Sequence, residues 1–336
     1  MPANVRILMV DDPRLKPVYQ AAESAMHADG HEVIRYREPA DLRADSAELF
    51  SADVLITGMN CPCPRPVLEA AKKLRAVVVP VIGTELVDVG AATELGIVVG
   101  HGATSENSDS MAEATIMLML NLLYDLRRSE AILRDGLPRP PGQYAHMLRD
   151  RTVGLIGLGR IGLAVVKRLQ GWDVDILVHS RSGQRDGMPS NVRFTGLEEL
   201  LQKSDIVSLH AGLNEQTRGL LNADNLRLLK PTAILINTAR GGIVDETAVF
   251  EAARDGRIAR LGLDTFETEP LPADSPLRSL PNAILTPHIV GHTVEGGESL
   301  GTTIAENLRR VIRGEAPVYV RNPEVLPGWT KRFGNH

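Results

Sequence analysis

The sequence predicts an α/β protein built on two parallel sheets, and three observations carry that prediction. Short apolar, β-branched runs alternate with helix-length segments along the whole chain, the order that produces parallel strands joined by right-handed crossovers. The chain has 336 residues, long for one domain and ample for two. Between the two halves of the pattern, residues 135–141 include Gly136, Pro138, Pro140 and Pro141, the composition of an irregular loop.

In chain order, the first hundred residues offer strands at 5–10, 54–57, 77–82 and 97–99. A helix beginning near Ser110 is expected to close this first unit, because Ser110 can cap it and its apolar residues run almost all the way round. A second set of strands follows at 152–156, 174–179, 206–210, 233–237, 261–264 and 283–286. No repeat of solenoid period and no low-complexity tract interrupts the pattern.

Composition narrows the class of function. Hydrophobic residues make up 43% and charged residues 24%, as in soluble globular proteins. The formal charge is −5 and no long basic run occurs, which argues against nucleic acid or an anionic membrane as the main partner. The apolar stretch at 111–124 contains Glu113 and is too short to span a bilayer, so it reads as a buried helix. The opening run at 5–10 is short and meets Asp11 and Asp12, unlike a signal peptide. Cys61 and Cys63 flank one proline, too tight for an easy disulfide and without a second pair for zinc. Two free thiols and a cytoplasmic location are the expectation.

The sharpest local signal runs from Thr152 to Gly162, a strand followed by Gly157-Leu158-Gly159-Arg160-Ile161-Gly162 and then a helix. In such a turn Gly157 permits the tight bend, Gly159 lets the backbone approach a pyrophosphate, and Gly162 allows close packing of helix and strand. The helix N-terminus at Arg160 and Ile161 then offers unpaired N–H groups and partial positive charge to phosphate. The context of strand, turn, helix and second strand identifies a dinucleotide site.

An NAD site expects a carboxylate about twenty residues on, at the tip of the second strand. Here that tip reads His179-Ser180-Arg181-Ser182. A carboxylate would repel a 2′-phosphate, whereas hydroxyls and a guanidinium bind one. NADP(H) is therefore the expected cofactor, with NAD(H) as the other possibility.

From Leu155 to Gly162 the chain resembles the "GIIGLGRIG" stretch of the D-isomer-specific 2-hydroxyacid dehydrogenases, whose usual Asp falls on Ser180. Asn237 to Glu246 is similar to that family's second signature, Asp264 to Pro270 to its "DVFxxEP" segment, and Thr286 to Ile289 to "TPHxA/G". The tip at Ser180 to Ser182 resembles the NADPH-preferring glyoxylate and hydroxypyruvate reductases of the family. The resemblance implies two Rossmann-like or flavodoxin-like domains with the active site in the cleft between them. Residues 1–103 and 290–336 would form a discontinuous substrate domain, and 104–289 the dinucleotide-binding Rossmann domain. It also implies a homodimer through the cofactor domain. Three departures bear on substrate identity: residues 102–107 keep only the final Asn of "NxPGxN", Gly212 replaces a usual Pro, and Glu85 replaces an Asp.

Hydride transfer to a 2-keto acid builds negative charge on the carbonyl oxygen, so the site needs a proton donor and a cation. The resemblance assigns His288 as general acid in reduction and base in oxidation, suited by an imidazole pKa near neutrality. Glu269 would orient the other ring nitrogen, and Arg240 would hold the substrate carboxylate and polarise its carbonyl. Asp264 is expected on the nicotinamide carboxamide, with Thr238, Ala239 and His210 lining the cofactor. Backbone N–H groups at Ile82 and Gly83 would complete the carboxylate site. The remaining histidines, His27, His31, His101, His146, His179, His292 and His336, have no metal-ligand spacing, and no metal is expected.

Rival readings follow from the same residues. The opening stretch resembles a phosphoacceptor receiver domain, but the strand after Asp53 ends in Thr57-Gly58 where that chemistry needs an Asp. A catalytically weak, cofactor-sensing protein of corepressor type uses the same scaffold. Phosphoglycerate dehydrogenase and formate dehydrogenase are alternatives within the enzymes.

Overall fold

The computed structural model describes residues 5–142 and 144–334; His336 therefore lies outside the described residues. The chain divides into two compact units, Met1–Asn107 with Thr293–His336, and Ser108–His292.

The first unit is a five-stranded parallel sheet. Its strands are β1 (Arg6–Val10), β2 (Glu32–Tyr36), β3 (Val54–Ile56), β4 (Ala76–Val78) and β5 (Val98–Gly100), in the order β2-β1-β3-β4-β5. Alternate residues serve opposite faces. Ile7, Met9, Val54, Ile56 and Val98 pack with helices Lys16–Ala28 and Val294–Ile312 and with Trp329. Leu8, Val10, Leu55, Val77 and Val99 pack on the other side against Leu49, Leu68 and Ala91. Burial on both faces explains why β3, β4 and β5, and β1 from Ile7 onward, read as unbroken apolar runs.

The exposed edge of β5 is closed by the C-terminal segment. Asn322, fully buried, accepts from the Val99 N–H at 2.8 Å and donates to the Ile97 carbonyl at 3.0 Å. Gly100 also bridges to Val320 in antiparallel fashion, so the backbone groups of this edge are satisfied. Cys61 and Cys63 are free and buried, and burial pushes the Cys63 thiol up to about 12.

The second unit holds β6 (Thr152–Ile156), β7 (Asp175–His179), β8 (Val192–Phe194), β9 (Ile206–Leu209), β10 (Ile234–Asn237), β11 (Arg260–Leu263) and β12 (Ala283–Leu285). Their order is β12-β11-β10-β9-β6-β7-β8, all pairs parallel, with the winding direction reversing between β6 and β9. This is the doubly wound order of Rossmann folds, whose ligands bind beyond the strand ends at the reversal.

The structure corrects several local expectations. Strands β2 and β8 were not expected: β2 is an edge strand whose Glu32 and Arg35 break the apolar run, and β8 has three residues. Strand β4 stops at Val78, which leaves Ile82 in a bend beyond it and Gly83 in the irregular backbone that follows. The long helix starts at Ser105, with Ser110 buried inside it, and from Ser108 it belongs to the second unit instead of closing the first. Its opening residues are polar and read as loop, while Thr104 Oγ1 accepts from the Asn107 N–H at 3.2 Å. A further helix, Leu126–Arg134, buries none of its residues. No helix among the described residues is long and apolar enough to cross a membrane.

Candidate active site

Two groups of side chains gather at the carboxyl ends of the second sheet. The first surrounds the glycine turn. Gly157 sits at φ 100°, and a Cβ there would lie 2.6 Å from the His210 carbonyl carbon and the Ala211 nitrogen, so only glycine fits. Its N–H donates to the His179 carbonyl at 2.8 Å, and the His210 N–H to the Ile156 carbonyl at 2.7 Å. These bonds bring the tips of β6, β7 and β9 together.

Gly159 precedes helix Arg160–Arg168 and has open space where a side chain would be. The helix end carries no side-chain cap, so the arrangement suits a bound phosphate. A Cβ on Gly162 would come within 2.6 Å of the Gly157 carbonyl oxygen, so the close approach is to the turn itself. Arg160 is exposed and Ile161 half-buried.

A groove of about 480 Å³ follows this turn, lined by Gly157 to Gly159, by His179 to Ser182 and by the loop from His210 to Leu220. That volume suits part of a dinucleotide. Ser180 and Ser182 face each other at 2.9 Å between hydroxyl oxygens, and Arg181 is exposed with no ion pair among the described residues. His210 is partly exposed, yet the protein around it holds its pKa down to about 4; its Nε2 lies 3.0 Å from Ser208 Oγ. The ring is therefore neutral near pH 7. Sequence reasoning missed Asn214, Gln216, Thr217 and Leu220 in this lining, because only the reversal of strand order places their loop there.

The second group lies at the tips of β10, β11 and β12. Asn237 ends β10 buried: its Nδ2 donates to the Arg240 carbonyl at 2.9 Å and its Oδ1 accepts from the Ala239 N–H at 3.1 Å. A polar residue closing an apolar strand was the signal for this role. Arg240 Nη1 donates to the Ala239 carbonyl at 2.7 Å. A Cβ on Gly241 would overlap the Phe266 carbonyl, so glycine is needed for the loops to meet. Thr238 is buried, its hydroxyl 3.5 Å from that of Thr115, and Ala239 is half-buried.

After β11, Asp264 is 1% exposed, and its Oδ1 accepts from Thr286 Oγ1 at 2.7 Å, the Ile289 N–H at 3.0 Å and the Val290 N–H at 3.2 Å. Burial pushes its carboxyl up in spite of these donors. Glu269 accepts from the Phe266 N–H at 3.0 Å, and its other oxygen lies 2.8 Å from His288 Nδ1. Burial alone would raise the Glu269 carboxyl, but the hydrogen bond and charge of His288, the Phe266 N–H and the charge of Arg240 outweigh it and hold it below the usual range. His288 sits at φ 57°, a left-handed backbone that costs a non-glycine residue about 1–2 kcal/mol. The second unit thus unites Arg240, Glu269 and His288, whereas Ile82 and Gly83 belong to the first unit. No cluster of three or more metal-ligating side chains occurs among the described residues.

Residues 116–290 match the model of the D-isomer specific 2-hydroxyacid dehydrogenase NAD binding domain. The chain belongs to that family. It is thereby an oxidoreductase acting on the CH–OH group of a 2-hydroxy acid, with a nicotinamide cofactor. It is 39% identical over 280 residues to a glyoxylate reductase of Thermofilum pendens, covering 82% of each chain. It is 37% identical to a D-3-phosphoglycerate dehydrogenase of Methanocaldococcus jannaschii, over 83% of this chain but 53% of that one. Among solved structures it resembles an NADPH-dependent glyoxylate/hydroxypyruvate reductase of Sinorhizobium meliloti, with 29% identity, a TM-score of 0.81, and 96% and 99% of the two chains covered.

Proposed function

We propose that this dehydrogenase is an NADP(H)-dependent reductase of a small 2-keto acid of the glyoxylate or hydroxypyruvate kind. The observation that carries the reaction is the 2.8 Å pairing of His288 Nδ1 with Glu269, with the charge of Arg240 also felt at that carboxylate. The glycine turn, the open side of Gly159 and the uncapped helix end fit a dinucleotide. That cofactor, when bound, supplies the hydride in reduction and accepts it in oxidation.

The chain's own residues manage the proton and the charge. His288 Nε2 donates a proton to the carbonyl oxygen as negative charge develops there, and takes it back in oxidation. Glu269, ionised and accepting from His288 Nδ1, stabilises the imidazolium and fixes the direction of the ring. Arg240 holds the substrate carboxylate and polarises the carbonyl, with backbone N–H groups at Ile82 and Gly83 as the second carboxylate element. Residues 1–103 with 290–336 are assigned to substrate, and 104–289 to cofactor. Thr238 and Ala239 line the nicotinamide, and the Oδ2 atom of Asp264 accepts from its carboxamide.

For the cofactor, Ser180 and Arg181 stand where an NAD-preferring tip carries a carboxylate, and Arg181 is exposed with no ion pair among the described residues. They are assigned to the 2′-phosphate, with His210 lining the same groove. The apolar side chains left exposed on and near helix Leu126–Arg134, among them Leu126, Leu133, Leu137, Tyr144 and Met147, support a homodimer through the cofactor unit. Light scattering that returns a particle of one chain at micromolar concentration would end that reading.

The purified protein should oxidise NADPH faster than NADH with glyoxylate or hydroxypyruvate, in a panel that also contains pyruvate, phenylpyruvate and, in the oxidative direction, 3-phosphoglycerate. Arg181→Ala should lower kcat/KM for NADPH by about 10- to 100-fold and leave NADH nearly unchanged, the usual worth of a charged hydrogen bond. A preference for NADH would overturn the cofactor assignment. Cofactor binding without turnover of any acid would favour the sensing protein.

A further inference from the structure

We propose that Thr286 and Asp264 act as a positioning pair, setting the strained turn that presents His288 to Glu269. The inference rests on the reading of His288 as the acid–base group and adds to it the residues that aim it. Strands β11 and β12 run side by side with Leu263 opposite Leu285, so Asp264 and Thr286 emerge together at the two tips. The Asp264 N–H is tied to the Asn237 carbonyl at 2.9 Å and the Thr286 N–H to the Leu263 carbonyl at 3.0 Å, which anchors both residues to the sheet.

From that anchor the grip on His288 is made on both sides of it in sequence. Asp264 Oδ1 takes Thr286 Oγ1 from two residues before, and the N–H groups of Ile289 and Val290 from just after. The His288 N–H turns back to the Thr286 carbonyl at 3.0 Å, a three-residue turn that the ring-fixed φ of Pro287 favours. Two successive N–H groups converging on one oxygen reverse the chain after His288 and hold its φ at 57°. The side chain is gripped separately, by Glu269, which the Phe266 N–H holds in turn. One loop after β11 therefore clamps the backbone of His288 through Asp264 and its imidazole through Glu269. Among the described residues Thr286 supplies a side-chain donor to the backbone clamp, and removing its hydroxyl loosens the turn and leaves the cofactor groove intact.

The test compares Thr286→Val, which keeps the shape and deletes the hydroxyl, with Thr286→Ser, which keeps the hydroxyl. Thr286→Val should lower kcat for keto acid reduction by about 10- to 100-fold, the order expected for a misaligned acid, with the cofactor Kd and keto acid KM within about twofold. Reduction needs protonated His288, and a weaker contact to Glu269 stabilises the imidazolium less. The alkaline limb of the kcat profile should therefore move to lower pH in Thr286→Val and return in Thr286→Ser. A Val variant with the parental kcat and limb, or Val and Ser variants equally slow, would overturn the proposal. Should Thr286→Val lose cofactor binding, the same readings are taken on Thr286→Ala, with the same outcomes deciding. His288→Asn, run in parallel, separates the two readings: if it keeps the reduction rate and the limb, the acid–base assignment itself falls.

Discussion

The two sheets offer the same topological opportunity and use it in opposite ways. In each, the winding reverses beside the strand that feeds the first crossover helix: between β1 and β3 in the first unit, and between β6 and β9 in the second. After β6 the chain makes an open glycine turn, and the helix end it leads into has no side-chain cap. After β1 the chain first makes a short 3-10 turn, Pro13–Leu15, ahead of helix Lys16–Ala28, and the protein's own anion caps that turn. Asp12, 2% exposed, accepts from the Arg14 N–H at 3.1 Å and pairs with the Arg14 guanidinium at 2.6 Å, and Pro17 brings no N–H to the following helix. The parallel sheet supplies a place for a ligand at both reversals. The turn residues decide whether that place is left for a phosphate or filled by a carboxylate.

The comparison can be broken most decisively at Gly157. Gly157→Val forces a branched side chain into a left-handed backbone against the His210 carbonyl, and NADPH affinity should fall by more than about 100-fold. A fluorescence titration that finds unchanged affinity would show that the glycine turn is not what distinguishes the two reversals. His210 sharpens the contrast next, since the matching position after β3 is Thr57, which does not titrate. The folded-state pKa of His210 is depressed to about 4 from 6.5 by burial, so the unfolded chain binds more protons between those values. Its contribution is complete above about pH 6.5 and is lost as pH falls toward 4, by at most about 3 kcal/mol. Urea midpoints at pH 7 and pH 4.5 should differ less in His210→Asn than in the parent. The smallest effect is expected at Asp12: Asp12→Ala should cost about 1–2 kcal/mol of stability through the lost cap and leave NADPH affinity unchanged. A drop in that affinity would mean that the first reversal also serves the cofactor.

What could be read from the sequence depended on whether a feature is local. Strands β1, β3 and β5 were legible because both faces are buried, so Ile7 to Val10, Val54 to Ile56 and Val98 to Gly100 carry no polar side chain. Strand β2 was not, since an edge strand with a half-exposed face tolerates Glu32 and Arg35. The long helix was legible in its apolar middle, while its polar first turn, Ser105 to Asp109, looked like loop. In the candidate site, the glycine turn and the Ser180 tip could be read directly because eleven contiguous residues and one strand hold them. The tie from Asp264 to Thr286, Ile289 and Val290 could not, because it spans 22 to 26 residues and exists only once β11 and β12 lie side by side.

The path of the chain has a consequence for its birth on the ribosome. The second unit is one uninterrupted stretch, Ser108–His292, and can close as soon as that stretch has emerged. The first unit cannot. Its sheet is made early and helix Lys16–Ala28 covers part of the face of Ile7, Met9 and Val54, but the rest of that face waits for Leu300, Ile304 and Leu308 on the late helix. Chains grow at about 5–20 residues per second, so the roughly 200 residues that intervene leave apolar strands waiting for about 10 to 40 seconds. The early strands of this unit thus belong to the part of the protein that is completed last.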